Sequence, residues 1–119
     1  MIRLIVKLAI ILTLLNILGC DSAQKHIEIA ERHYNNRELD NAINELNTAN
    51  KIEPKNYHVY FLRGMVQLEK KNPELAFADF QSGCADGPGK NGDKDACNMY
   101  LSMRTGTDIQ GMINRSLPH

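Results

Sequence analysis

The pattern of hydrophobic and polar positions separates a short N-terminal segment from the rest of the chain. Residues 1–7 carry Arg3 and Lys7 and no acid, and the eleven residues 8–18 are apolar except for Thr13 and Asn16. A helix of that length rises only about 16 Å, roughly half of the ~30 Å hydrocarbon core of a bilayer. The pattern therefore predicts a cleaved signal peptide over residues 1–19, with a lasting membrane span over residues 1–18 as the alternative.

Beyond this segment the pattern of large and small residues repeats itself. Residues 23–56 and 57–90 align when one is shifted by 34 positions against the other. The aligned pairs are Ala30 with Gly64, Ala42 with Ala76, Leu46 with Phe80, and Ala49 with Gly83. A fixed period in this range is the sequence signature of a repeat architecture, in which each repeat is one supersecondary unit.

The repeated residues resemble the tetratricopeptide repeat (TPR), a motif of two antiparallel helices. In that family small residues such as Ala30, Gly64, Ala42 and Ala76 allow close helix contacts, and large ones such as Leu46 and Phe80 fill the space between hairpins. The resemblance implies an all-α fold, with two TPR hairpins at 23–56 and 57–90 forming a short right-handed α-solenoid. The chain departs from the motif at His26, His33 and Gln67, which replace aromatic residues, and in the missing proline at the end of the second repeat.

Helices are expected at residues 23–36, 39–53, 57–71 and 73–86, with Pro73 in a first helical turn, where proline is tolerated. A fifth helix is predicted at 94–104, because Ala96, Met99, Tyr100 and Met103 share one face. We expect this helix to cap the open end of the array within a C-terminal segment of residues 91–119. Residues 109–117 are expected to form a further short turn.

Composition narrows the range of partners. The chain has 119 residues, enough for one small domain, and 14 basic side chains balance 14 acidic ones. This balance gives no reason to expect nucleic acid binding. With no tryptophan and few aromatic residues, the chain cannot build a large core, so a covalent staple is expected.

The sequence ILGCDS, residues 17–22, resembles a bacterial lipobox. The resemblance implies that Cys20 receives a diacylglyceryl group, that cleavage falls before it, and that residues 20–22 form a lipidated anchor. Several acyl chains hold a protein firmly on a bilayer. Asp21 resembles the signal that keeps enterobacterial lipoproteins in the inner membrane, which favours an inner-membrane lipoprotein facing the periplasm. The alternative is an ordinary secretory signal with a buried cysteine.

Two cysteines remain once Cys20 is acylated. Cys84 and Cys97 form an even pair in a chain expected to face an oxidising compartment, which favours a disulfide. The alternatives are two free buried thiols or a metal site. A metal would need further Cys or His ligands at close spacing, and none lies beside this pair.

Candidate chemistry elsewhere is weak. The segment GPGKNGDK, residues 87–94, has the glycine spacing of a phosphate loop but lacks its Lys-Ser/Thr ending and a preceding strand. Asn91, Asp93 and Asp95 alternate as in a calcium loop, but Ala96 replaces the required glycine. His26 and His33 share a helix face without a third ligand, and packing roles are expected for both. The sequence therefore predicts a non-enzyme with no cofactor and no metal.

The TPR resemblance implies a groove lined by the first helix of each hairpin. Its candidate residues are Ile27, Glu31, Tyr34, Phe61, Met65 and Leu68. Their apolar character favours a partner helix or extended protein segment. The alternative is that the C-terminal segment or a second copy of the chain covers these side chains. Two hypotheses follow: a membrane-anchored adaptor or assembly factor in the bacterial cell envelope, or a structural subunit that self-associates or completes a larger complex without a separable ligand.

Overall fold

A computed structural model describes residues 1–17, 21–85 and 92–106 of the chain, and all regular structure in these residues is α-helical. The six helices are α1 (Ile2–Ile17), α2 (Ala23–Asn35), α3 (Leu39–Ile52), α4 (Tyr57–Glu69), α5 (Pro73–Cys84) and α6 (Lys94–Thr105). The predicted all-α class is confirmed. The five helices expected after residue 22 begin at the predicted residues and end within two residues of the predicted ends.

Local capping and turn residues account for several of these helix ends. The hydroxyl of Ser22 accepts a hydrogen bond from the Lys25 amide at the start of α2, and Asp93 accepts one from the Ala96 amide at the start of α6. Pro73 occupies the beginning of α5, where its missing N–H costs nothing. Gly106, with φ of 70°, ends α6 in the left-handed conformation that glycine adopts without strain.

The helices after α1 pack as two antiparallel pairs followed by α6. Helix α2 pairs with α3 and α4 pairs with α5, each through a turn of three residues, while α3 also packs on α4 and α6 on α5. One buried cluster joins α2, α3 and α4 around Leu46, and a second joins α4, α5 and α6 around Phe80 and Met99. Helix α6 thereby covers the open side of the second pair.

The two pairs repeat each other in backbone detail. In the first turn the amides of Asn36, Arg37 and Glu38 donate to the carbonyls of Arg32, Tyr34 and His33. In the second turn the amides of Lys70, Lys71 and Asn72 donate to Val66, Leu68 and Gln67, each partner shifted by the same 34 positions. Arg37 and Lys71 both have positive φ, at 64° and 62°. The sequence period is therefore also a period of the backbone.

Burial follows the same period. The residues assigned to repeat packing, Ala30, Ala42, Leu46, Gly64, Ala76 and Phe80, are all buried. The fit is tightest at Gly64, where a Cβ atom would lie only 2.6 Å from Cε1 of Phe80. The first pair has Ala30 in place of Gly64 and Leu46 in place of Phe80. Alanine is larger than glycine and leucine is smaller than phenylalanine, so the two differences offset each other.

Helix α1 differs from the other five because its apolar side chains face outward. Ile2, Leu4 and Ile5 keep well over half of their surface exposed. Within the described residues, no helix combines the length and the apolar character needed to cross a bilayer. Residues 18–20, 86–91 and 107–119 lie outside the described part of the chain, and with them the predicted short turn at 109–117.

Candidate functional site

Polar and charged side chains connect α2, α4 and α6 across one side of the helical array. We call this side the inner face and define it by Glu31, Tyr34, His58, Glu69 and Asp93. These residues come from the first helix of each pair and from the residue that begins α6. It is the side on which the sequence places the candidate groove.

His58 and Asp93 form the link between α4 and α6. Nδ1 of His58 lies 2.9 Å from Oδ2 of Asp93, while Oδ1 of the same carboxylate accepts the Ala96 amide. The Asp93 amide donates to the carbonyl of Gly83 at 2.8 Å, which ties the start of α6 to the end of α5. The imidazole also stacks on Phe61, with ring centroids 5.7 Å apart. A single carboxylate therefore begins α6 and fixes it to α4.

The charges of this link stabilise each other. The hydrogen bond to Asp93 raises the pKa of His58 against the opposing effect of burial, with smaller contributions from Asp95 and Glu31. Burial tends to raise the pKa of Asp93, but hydrogen bonds from His58 and from the Ala96 amide outweigh it, so that this pKa is lowered. Both shifts favour the charged forms that attract each other.

A second set of hydrogen bonds joins α2 and the turn after it to the C-terminal end of α4. The hydroxyl of Tyr34 donates to Oε1 of Glu69 at 3.4 Å, and Nη1 of Arg37 donates to the same oxygen at 3.1 Å. Burial, followed by the nearby Glu69 charge, raises the pKa of Tyr34. The phenol therefore stays a neutral donor over the physiological range.

The expectation of an open apolar groove is wrong for three of its six residues. Ile27, Phe61 and Met65 are only 5%, 5% and 3% exposed. Ile27 packs in the cluster of α2, α3 and α4, and the other two pack beneath α6 with Phe80 and Met99. Helix α6 of the C-terminal segment therefore covers Phe61 and Met65, which is one of the alternatives that the sequence leaves open.

The other three candidate groove residues keep different fractions of their side chains exposed. Glu31 is exposed, and Tyr34 and Leu68 are half-buried. Leu68 packs against the rim of the α4–α5–α6 cluster. What α2 and α4 present on the inner face is therefore a row of hydrogen-bonding and charged groups with apolar edges.

A close, largely covered charge pair between α4 and α5 was missed by sequence reasoning. Arg63 of α4 donates from Nε to both oxygens of Asp79 on α5, at 3.1 and 3.0 Å, and from Nη2 to Oδ1 at 2.6 Å. Its Nη1 donates to Asn47 of α3 at 2.8 Å, so three helices meet at one guanidinium. The signal that could have revealed the pair is a repeated acid, since Glu45 and Asp79 occupy equivalent positions before the buried Leu46 and Phe80.

In the first pair, Glu45 takes the position of Asp79, and its basic partner is His26. Nδ1 of His26 lies 2.5 Å from Oε2 of Glu45, and its Nε2 lies 3.5 Å from Oδ2 of Asp21. The bond to Glu45 raises the pKa of His26, and the bond from Lys25, followed by that from His26, lowers the pKa of Asp21. Asp21, the candidate sorting residue, is exposed and held beside α2, while the candidate lipidation residue Cys20 lies outside the described residues.

The remaining cysteines lie at the junction of α5 and α6. The sulfur atoms of Cys84 and Cys97 are 2.04 Å apart, a disulfide distance, and both residues are buried. The described ranges contain no group of three side chains able to hold a metal ion. Asp93 of the calcium-like segment is a helix cap, and most of the glycine-rich segment, residues 87–91, lies outside the described residues.

Comparison of the chain with models of protein families, with characterised proteins and with solved structures finds no match.

Proposed function

We propose that this chain is a bacterial lipoprotein of the TPR type, anchored by a lipid on Cys20, that acts as a protein-binding adaptor or assembly factor in the cell envelope. The observation that carries the repeat assignment is the agreement of two periods. The same 34-residue shift relates the residues in the sequence, the hydrogen bonds of the two turns and the positive φ of Arg37 and Lys71.

The N-terminal segment supports the anchor. Its helix is short, apolar and outward-facing, as in a signal peptide, and the lipobox-like residues follow it directly. Placement on the periplasmic side, with the inner membrane favoured by Asp21, belongs to the same proposal. An oxidising compartment would also keep Cys84 and Cys97 joined.

The inner face is the proposed protein-binding surface. Among its residues Glu31, Tyr34 and His58 are accessible and offer hydrogen bonds and charge, and the half-buried Leu68 gives a small apolar edge beside them. A partner segment of mixed polar and apolar character suits this surface better than a purely apolar helix. A binding role without catalysis or cofactor fits this arrangement, in which each of the described histidines, His26, His33 and His58, is engaged by a carboxylate.

A pair of charge-reversal variants tests the adaptor role. Glu31→Arg changes the inner face, whereas Glu74→Arg makes the same change on an exposed residue of α5. Chemical crosslinking in membranes followed by mass spectrometry should recover a partner with the wild type and with Glu74→Arg but lose it with Glu31→Arg. Equal recovery with both variants would contradict binding through the inner face.

The burial of Ile27, Phe61 and Met65 favours a second candidate, the structural subunit, because it removes most of the apolar surface expected for a separable ligand. In that case crosslinking would recover the protein itself. A dimer lost specifically with Glu31→Arg would place the contact between copies on the inner face.

A further inference from the structure

The distance between the proposed lipid and the folded helices is very short. Only Asp21 and Ser22 separate Cys20 from α2, and Ser22 is already the cap of that helix. Three residue steps of extended chain span about 10 Å at most, so Ala23 must lie within that distance of the lipid-bearing residue. Such a tether cannot let the folded part move far from the membrane.

The structure reduces the freedom of this tether further. Asp21 bonds Nζ of Lys25 at 3.2 Å and lies 3.5 Å from His26, which is itself bonded to Glu45 of α3. Ala23 is fully buried among α2, α3 and α4. The chain therefore leaves the lipid-bearing residue and enters the folded core almost at once.

The alternating directions of the helices determine which loops lie at the lipid-bearing end of the array, where α2 begins. The three-residue turns make α2 and α3, and α4 and α5, antiparallel, so the beginning of α2 lies beside the end of α3 and the loop 53–56 that leads into α4. The turns at 36–38 and 70–72 lie at the opposite end, as the contact of Arg37 with Glu69 confirms. A helix of 13 residues separates the two ends by about 20 Å.

The side chains at the anchor end suit the interface of a bilayer. Ile52 is 38% exposed, and Pro54 and the two lysines Lys51 and Lys55 of the same segment are also exposed. Glu53 is exposed among them, so that the segment carries two basic side chains and one acidic one. Within the described part of the chain neither lysine is paired with a carboxylate. Exposed apolar side chains beside a net positive charge combine insertion at the level of the head groups with attraction to anionic lipids.

From these observations we infer that the loop between α3 and α4, with Lys51, Ile52, Pro54 and Lys55, rests on the anionic bilayer that holds the lipid. This inference rests on the proposed lipidation of Cys20. The array then stands with its helix axes steep to the membrane, and the turns at 36–38 and 70–72 point away from it.

Tryptophan fluorescence tests this orientation directly, because the chain contains no tryptophan of its own. Ile52→Trp places one reporter at the anchor end, and Leu75→Trp is its matched control, since Leu75 is an exposed apolar residue in the first turn of α5 at the opposite end. The full chain is produced in a bacterial host, purified with its lipid and reconstituted in vesicles of phosphatidylethanolamine and phosphatidylglycerol. Matched vesicles carry bromine near the top of the acyl chains as a quencher.

We expect the fluorescence of Ile52→Trp to fall by on the order of half in brominated vesicles, as for a side chain within the interfacial region. That of Leu75→Trp should remain unchanged. Circular dichroism of both variants checks that the helices are intact. Adding Lys51→Glu and Lys55→Glu to Ile52→Trp should weaken the quenching.

The same samples separate failure of this inference from failure of the proposed function. Equal quenching of the two reporters, or none of either, in protein whose mass shows a lipid on Cys20 would overturn the orientation and leave the anchor intact. A mass without lipid would reject the anchor, and the inference with it.

Discussion

The ring of Phe80 lies directly against Gly64, so closely that a Cβ atom on the glycine would be 2.6 Å from Cε1 of the ring. The first helical pair solves the same packing problem with Ala30 and Leu46, which occupy the equivalent positions and are also buried. The second pair therefore combines the smaller glycine with the larger phenylalanine, and the first pair combines the larger alanine with the smaller leucine.

Gly64→Ala should destabilise the protein by about 1–2 kcal/mol, because the strain of overpacking exceeds the helix propensity gained. Phe80→Leu alone should leave a cavity and also cost stability. The double variant reproduces the Ala–Leu pair of the first repeat, so its loss should be smaller than the sum of the two single losses. Urea unfolding of the four proteins measures this coupling, and strict additivity would contradict the shared packing.

Arg63 and Asp79 provide a second double-mutant cycle. Removing either partner leaves a charge in a largely covered site, so Arg63→Met or Asp79→Leu should cost about 2–3 kcal/mol. The double variant should recover part of this loss because no unpaired charge remains. If each single change altered the free energy of unfolding by only a few tenths of a kcal/mol, the pair would be an ordinary surface ion pair.

The link between His58 and Asp93 predicts a dependence of stability on pH. The pKa of His58 is raised, so its contribution is fully present below about pH 6.5 and is lost as the pH rises through the folded-state pKa. The lowered pKa of Asp93 gives a contribution that is lost only when the pH falls below about 4. The link should therefore stabilise α6 most at mildly acidic pH.

Urea unfolding at mildly acidic and mildly alkaline pH measures this effect, with His58→Gln as the test variant. The wild type should lose stability on the alkaline side, and the variant should lose less, by about 0.5 kcal/mol for so exposed a pair. His26 remains in both proteins and contributes equally to each. Identical pH dependence in the two proteins would exclude His58 as its source.

Joining Cys84 and Cys97 closes a loop with a sequence separation of 13 residues, which stabilises a folded chain by about 3 kcal/mol in the chain-entropy account. Reductant should therefore lower the unfolding midpoint of the wild type. The variant with both residues changed to Ala should be less stable than the oxidised protein and insensitive to reductant. A wild type that unfolds identically with and without reductant would show that the thiols are free.

Sequence reasoning predicts the helices of this protein better than its surfaces. Residues such as Pro73 and the periodic Ala42 and Ala76 act locally, so helix positions and the repeat register follow from neighbouring residues alone. The contacts of His58 with Asp93 and of Arg63 with Asp79 join residues 35 and 16 positions apart. These pairs depend on how the helices dock, which no local pattern specifies.

The groove residues show the same limit. Ile27, Phe61 and Met65 have the spacing of an exposed helix face, and that spacing is equally compatible with burial once another helix covers them. For Phe61 and Met65 the position of α6 decides between the two, whereas Ile27 is covered by α3 and α4. Helix α6 follows a segment that the repeat pattern does not extend through. Glu31, one turn after Ile27 on the same helix, stays exposed.

The most direct measurement for the central claim is the intact mass of the protein isolated from bacterial membranes, beside that of Cys20→Ala. A lipid-anchored protein should have lost residues 1–19 and carry diacylglyceryl and acyl groups on Cys20, while the variant should stay unprocessed or leave the membrane fraction. An unmodified wild-type mass, or normal membrane anchoring of Cys20→Ala, would contradict the account.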